Sequence, residues 1–209
     1  MATDALERGL DRLGLAVDRR ARERLLRYRD ELARWGRAHN LTAVRDPGEM
    51  VPVHLLDSLA LWPLVRGTSL ADVGSGGGLP GLPLAIVDPE LAVTLIEPRA
   101  KRALFLQHVA RMLDLANVAV ERARVEDVGP GAAFDTVVTR TFGTLAAFAR
   151  AAAPLARPGG CLLAAKGRDP QSEIAALPPG WRIDVMPLEV PGVSGARHAV
   201  RLEPSPGAA

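Results

Sequence analysis

Two rhythms divide the 209-residue chain. Up to about residue 66, apolar side chains return every three or four positions, the spacing that lines one side of a helix. Leu6, Leu10 and Leu13 make such a stripe in a short first helix, and Leu25, Tyr28, Leu32 and Trp35 in a second. Asp46 suits the N-cap of a third, with Pro47 at its first position and Glu49 three residues after the cap. Pro52 falls within the first turns of that helix, where a missing N–H costs little. From residue 69 the chain alternates short apolar runs with longer amphipathic segments. "LADV", "LAVTLIE", "NVAVERA", "FDTVVTR" and "GGCLLAAK" read as strands, separated by helices in "PRAKRALFLQHVARMLDL" and "GTLAAFARAAAPLA". Alternating β and α units predict an α/β fold with a doubly wound, mostly parallel sheet. "GWRIDVMPLEV" and "RHAVRLE" follow with no helix between them and suit an antiparallel hairpin at the sheet edge. The expected organisation is a helical extension over residues 1–66, a core over 67–204 and a loose tail over 205–209.

Composition narrows the classes. At 48% hydrophobic the chain can build a real core, and its net charge of +2 permits a nucleic-acid partner without demanding one. The charge is unevenly spread: between Asp18 and Arg37 there are eight arginines against four acids. A single cysteine, Cys161, excludes an internal disulfide and any multi-cysteine zinc site, and no metal is expected. No secretory leader and no membrane-length apolar run is present, so the expectation is a cytoplasmic protein, read as a monomer.

The chemistry concentrates in "LADVGSGGGLPG", residues 70–81. In open α/β sheets ligands sit beyond the carboxyl ends of the strands, and glycines there allow positive φ and close approach of a ligand to the backbone. Gly76-x-Gly78-x-x-Gly81 fits a dinucleotide fingerprint, with Glu97 twenty-one residues after Gly76 as its ribose acid, so an NAD-dependent dehydrogenase is one reading. Two features oppose it. The strand runs directly into Gly74, which sets the frame at Gly74-x-Gly76-x-x-Leu79 and loses the third glycine. Asp72, just before the loop, would repel a pyrophosphate and favour a cationic ligand group. A Walker A lysine is missing too.

An acid before a G-x-G-x-G loop, an acid ending the second strand and Val125-Glu126 after the third resemble the Rossmann-like class I S-adenosylmethionine-dependent methyltransferases. In that reading Asp72, Gly74, Gly76, Gly78 and Leu79 lie along the cofactor, Glu97 accepts from both ribose hydroxyls, and Val125 and Glu126 meet the adenine. The acceptor is narrowed by what the chain lacks. Cys161 sits in an apolar strand rather than beside proline, which argues against cytosine C5 chemistry. "VVTRTF" stands where amine methyltransferases carry an Asp/Asn-Pro-Pro-aromatic motif, so Arg140 replaces the aromatic platform.

"WGRAHNLTAVRDPGEMVPVHLLDSL", "DVGSGGGLPGLPLAI", "KRALFL", "VVTRTF" and "AAKG" together resemble the ribosomal RNA small-subunit methyltransferase G family, from about Leu10 to Arg201. The resemblance implies S-adenosylmethionine as cofactor and methylation of N7 of one guanine in 16S rRNA, on naked rRNA or the small ribosomal subunit. Its cofactor positions fall on Gly74, Leu79, Val125, Glu126 and Arg140. The loop departs from the family's usual Gly-Thr-Gly-Pro/Ala-Gly, and "IEPR" replaces the more usual Asp-Ser after the second strand. Guanine N7 already exposes a lone pair, so no general base is assigned, and positioning carries the chemistry. Arg140 is the expected positioning group, able to bind guanine O6, a phosphate or the cofactor carboxylate, with a structural ion pair as the alternative. His54, Asp57 and Ser58 recur at helical spacing on one face, which would close over the site with Asn40 and Thr42; His54 is a second catalytic candidate. RNA contacts are expected from Asn40, Lys101, Arg102, Lys166, Arg197 and His198, together with Arg19, Arg20, Arg27 and Arg34. A non-catalytic RNA-binding assembly factor is the remaining alternative.

Overall fold

A computed structural model describes residues 2–39, 41–129 and 133–205. Its centre is a seven-stranded sheet in the order β3-β2-β1-β4-β5-β7-β6. The strands are β1 Ser69–Val73, β2 Ala92–Ile96, β3 Val118–Glu121, β4 Phe134–Thr139, β5 Ala156–Lys166, β6 Trp181–Pro187 and β7 His198–Pro204. The first five pair in parallel, whereas β7 runs antiparallel between β5 and β6. Each strand coincides with a segment read as a strand from the sequence, and the inner strands are mainly apolar because both their faces are covered. Val137 and Val138 of β4 and Leu162 and Leu163 of β5 are fully buried or nearly so. The β6–β7 pair forms the expected edge hairpin.

Helices α1 Ala2–Leu13, α2 Arg19–His39, α3 Pro47–Met50, α4 Asp57–Leu59, α5 Gly81–Val87, α6 Ala100–Met112, α7 Leu145–Ala152 and α8 Gln171–Ala175 surround the sheet. Asp18 caps α2, its Oδ1 accepting from the Ala21 amide at 2.8 Å. The predicted stripes face inward: Leu6, Leu25, Tyr28 and Leu32 join one apolar cluster with Phe105 and Leu106 of α6 and with Leu70 and Leu95 of the sheet. The opposite face is closed by α7, through Leu145 and Phe148 against Val73, Val137 and Leu162. No described helix is long and apolar enough to cross a membrane. Ser205 is the only residue of the expected tail among those described; 206–209 lie outside them.

One element differs in its winding. Asp46 caps α3 as expected, accepting from the Gly48 amide at 3.0 Å, but α-helical turns do not continue through Pro52. Val51–Leu56 is wound as a π-helix before α4 resumes. Pro52 offers no N–H, and in an α-helix its ring crowds the carbonyl four residues back; the wider turn relieves that conflict.

The chain runs from β1 outward through β2 and β3, then from β4 outward through β5. The C-terminal ends of β1 and β4, tied by Thr139 Oγ1 donating to the Val73 carbonyl at 3.0 Å, therefore lie where the order reverses. That is the place where open α/β sheets form a crevice.

Candidate active site

The loop after β1 is held by three surrounding elements. Gly74, Gly76 and Gly78 take φ of 70°, 58° and 91°, a region costly to residues with a Cβ. At Gly78 a Cβ would also collide with Leu82, so the packing of α5 against the loop requires glycine here. Beneath the loop Asp72 is completely buried, with Oδ2 accepting from the Gly81 amide at 2.9 Å and Oδ1 unpartnered among the described residues. Burial pushes its carboxyl up to about 7, helped by Glu97 and opposed by the Gly81 N–H and Arg140. The Gly81 amide is therefore committed to Asp72 and is not free for a pyrophosphate, against the dehydrogenase frame. From above, the Tyr28 hydroxyl of α2 donates to the Gly77 carbonyl at 2.6 Å. Leu79 is buried and joins Pro80 through a cis peptide bond.

A cleft of about 300 Å³ opens beside this loop, lined among others by Gly74, Glu97, Arg102, Val125, Glu126 and Phe142. Glu97 is buried to 2% exposure at its wall. Its Oε2 accepts from the Gly76 amide at 3.0 Å and Oε1 from the Arg99 amide at 2.9 Å. Two N–H groups thus fix the carboxylate while lone pairs remain, since an ionised carboxylate offers about four acceptor sites. That geometry fits a vicinal diol. Arg102, expected at the RNA, instead turns into this cleft, with Nη1 3.9 Å from Glu97 Oε2. Lys101 is exposed and lines neither this cleft nor the next.

A second cleft, about 260 Å³, adjoins the first through Thr141. Arg140, Lys166, Arg197 and His198 line it with Asp57 and Val53. Arg140 lines this second cleft, next to Thr141, which borders both. Its Nη1 donates to the Val53 carbonyl at 3.2 Å and lies 3.5 Å from both Asp57 Oδ2 and His54 Nδ1. Arg197 Nε donates to the other Asp57 oxygen at 3.2 Å. Lys166 pairs with Glu173 of α8 at 2.8 Å. His54 is buried, and its Nε2 shares a 2.7 Å hydrogen bond with Thr42 Oγ1. Burial, then the Arg140 charge, pushes its imidazolium down to about 4, so it is neutral at neutral pH. Ser58 points inward, fully buried, with no partner among the described residues. The expected face of His54, Asp57 and Ser58 is therefore split: the first two meet Arg140 and the third joins the interior. Asn40 lies outside the described residues.

The sequence reading missed Arg99, Arg124, Thr141 and Phe142 as cleft residues and Tyr28 as the clamp on the loop. Thr141 and Phe142 adjoin Arg140, a proximity that could have flagged them. Tyr28 gave no signal, because its position in the apolar stripe explains it equally well.

A family model described as rRNA small subunit methyltransferase G matches residues 21–200. The chain belongs to this family. The ribosomal RNA small subunit methyltransferase G of Xanthomonas campestris pv. campestris strain B100 is 52% identical over 197 residues, covering 94% of this chain and 92% of the relative. That of Alkalilimnicola ehrlichii is 50% identical over 195 residues, covering 93% and 89%. Among solved structures, a SAM dependent methyltransferase from Aquifex aeolicus matches with a TM-score of 0.57 at 20% identity, covering 75% of this chain and 93% of that one. A predicted O-methyltransferase from Agrobacterium tumefaciens matches with a TM-score of 0.56 at 26% identity, over 71% and 78%. These likenesses place the fold among the class I methyltransferases. Membership of the methyltransferase G family leaves the dehydrogenase and the non-catalytic assembly factor without support.

Proposed function

We propose that the chain methylates N7 of a guanine in 16S rRNA, using S-adenosylmethionine held in the Glu97 cleft and presenting the base from the Arg140 cleft. The observation that carries this reading is the adjacency of the two clefts, joined at Thr141 beyond the ends of β1 and β4. S-adenosylmethionine, when bound, supplies an activated methyl group. On this reading Glu97 accepts from its ribose hydroxyls, Gly74 lets the chain approach closely, and Val125 with Glu126 borders the base. Gly76 and Arg99 contribute indirectly, since their amides orient the Glu97 carboxylate.

Guanine N7 carries a lone pair and no proton, so no side chain has to remove one. Neutral His54 is accordingly a positioning group, bridging Thr42 and the Arg140 neighbourhood. Arg140 is fixed by Val53 and Asp57 at the mouth between the clefts, where its guanidinium suits guanine O6 or a phosphate. Alignment of this kind can contribute roughly 7–11 kcal/mol in favourable reactions.

The test is to incubate the purified protein with labelled S-adenosylmethionine and either naked 16S rRNA or small subunits from cells lacking the modification. Label at N7 of one guanine is expected. Label at another atom, or none where cofactor binding is separately confirmed, overturns the proposed substrate.

A further inference from the structure

The second cleft has an unusual charge pattern for an RNA surface. Its lining carries four basic side chains, Arg140, Lys166, Arg197 and His198, and one carboxylate, Asp57. A pocket for phosphate alone gains nothing from a carboxylate, which would repel it. Asp57 is only 12% exposed and is pinned from two sides, by Arg197 Nε at 3.2 Å and Arg140 Nη1 at 3.5 Å. Those two contacts leave acceptor capacity on both oxygens.

Guanine supplies the complementary donors. Its N7 and O6 are acceptors on one edge, while N1–H and the 2-amino group are neighbouring donors on the Watson–Crick edge. Enzymes that act on a base extrude it into a pocket and read that edge by hydrogen bonds. A volume of about 260 Å³ suits one nucleobase. We propose that the second cleft receives the guanine base and that Asp57 accepts from its N1–H and 2-amino group, an inference that rests on the methyltransferase reading above. With those donors on Asp57, N7 on the other side of the purine is free to face the first cleft, and a guanidinium from Arg140 or Arg197 meets O6. Adenine is rejected, because its N1 is an acceptor and would face the carboxylate. Methylation leaves positive charge on the purine, which the same carboxylate offsets.

The experiment compares 16S rRNA carrying guanosine at the methylated position with the same rRNA carrying inosine there, made by ligation. Inosine lacks only the 2-amino donor. One hydrogen bond to a charged group lost in a desolvated site predicts a fall in kcat/KM of roughly tenfold to 100-fold for the wild type. In Asp57→Asn the guanosine reaction slows and the preference shrinks to within about twofold, while cofactor affinity measured by calorimetry stays unchanged. A variant slowed equally on both RNAs, with the preference intact, would mean that Asp57 only braces Arg140 and Arg197, and overturns the inference. If the variant does not fold, the wild type decides: equal rates on guanosine and inosine also overturn it and leave the methyltransferase reading standing. Failure to methylate the guanosine RNA overturns that reading together with this one.

Discussion

Asp72 and His54 make opposite demands on pH. Asp72 is an acid whose folded pKa is raised, so the folded chain holds its proton more tightly than the unfolded chain does, and its contribution to stability is lost as pH rises from about 4 to about 7. His54 is a base whose folded pKa is depressed, so its contribution is lost as pH falls from about 6.5 towards 4. Replacing Asp72 by Asn keeps an acceptor for the Gly81 amide and removes the titration. Denaturant unfolding of Asp72→Asn and wild type should therefore diverge with pH, the variant gaining on the order of 2 kcal/mol relative to wild type between pH 5 and pH 8. A gap that does not change with pH would mean that Asp72 ionises normally in the fold.

At the scale of elements, α2 is more than a cover for the sheet. The Tyr28 hydroxyl reaches the Gly77 carbonyl, and Leu32 lies against the same glycine, so a helix far from the loop in sequence sets its path. Because Gly76 in turn donates to Glu97, the helix, the loop and the Glu97 carboxylate form one chain of contacts. Tyr28→Phe should raise the dissociation constant for S-adenosylmethionine by roughly fivefold to tenfold, as expected for about 1 kcal/mol of lost hydrogen bonding. Calorimetry with the purified variant measures this; unchanged affinity beside a lowered melting temperature would confine Tyr28 to packing.

The same elements show what sequence alone can convey. Strands β1 to β5 were legible because parallel strands with covered faces are short and mainly apolar, and the glycine loop with Glu97 was legible because it stands at strand ends. The π-wound turn at Val51–Leu56 was not, since a proline near a helix start fits an ordinary first turn equally well. Helix α5 was implied only as the element following the loop, for "GLPLAIV" is apolar on every side and shows no stripe. Arg102 illustrates the remaining gap: a basic residue on the first turn of α6 could face RNA or Glu97, and only the tertiary placement of β2 against the loop decides.

At the scale of the whole molecule, basic residues occur in two separate settings. Arg20 and Arg27 are exposed on α2, whereas Arg140, Lys166 and Arg197 are recessed in the second cleft. Exposed arginines act on phosphates by counterion release, so RNA affinity should fall steeply with salt. Two to four phosphate contacts predict a loss of roughly tenfold to 100-fold between 50 and 200 mM salt, measurable by filter binding. Affinity flat across that range would exclude the basic surface as the main anchor.

The place of β7 carries a consequence for synthesis of the chain. It is the last strand made, yet it inserts between β5 and β6, and the residues at its start, Arg197 and His198, complete the second cleft. The residues that line the Glu97 cleft all precede position 143 and are made well before β7. Translation that stops short of residue 197 removes a wall of the second cleft and, with β7, the fully buried Ala199, Val200 and Leu202 of the core. Late nonsense mutations should therefore abolish stability as well as activity, which a melting-temperature comparison of the truncated and full chains measures.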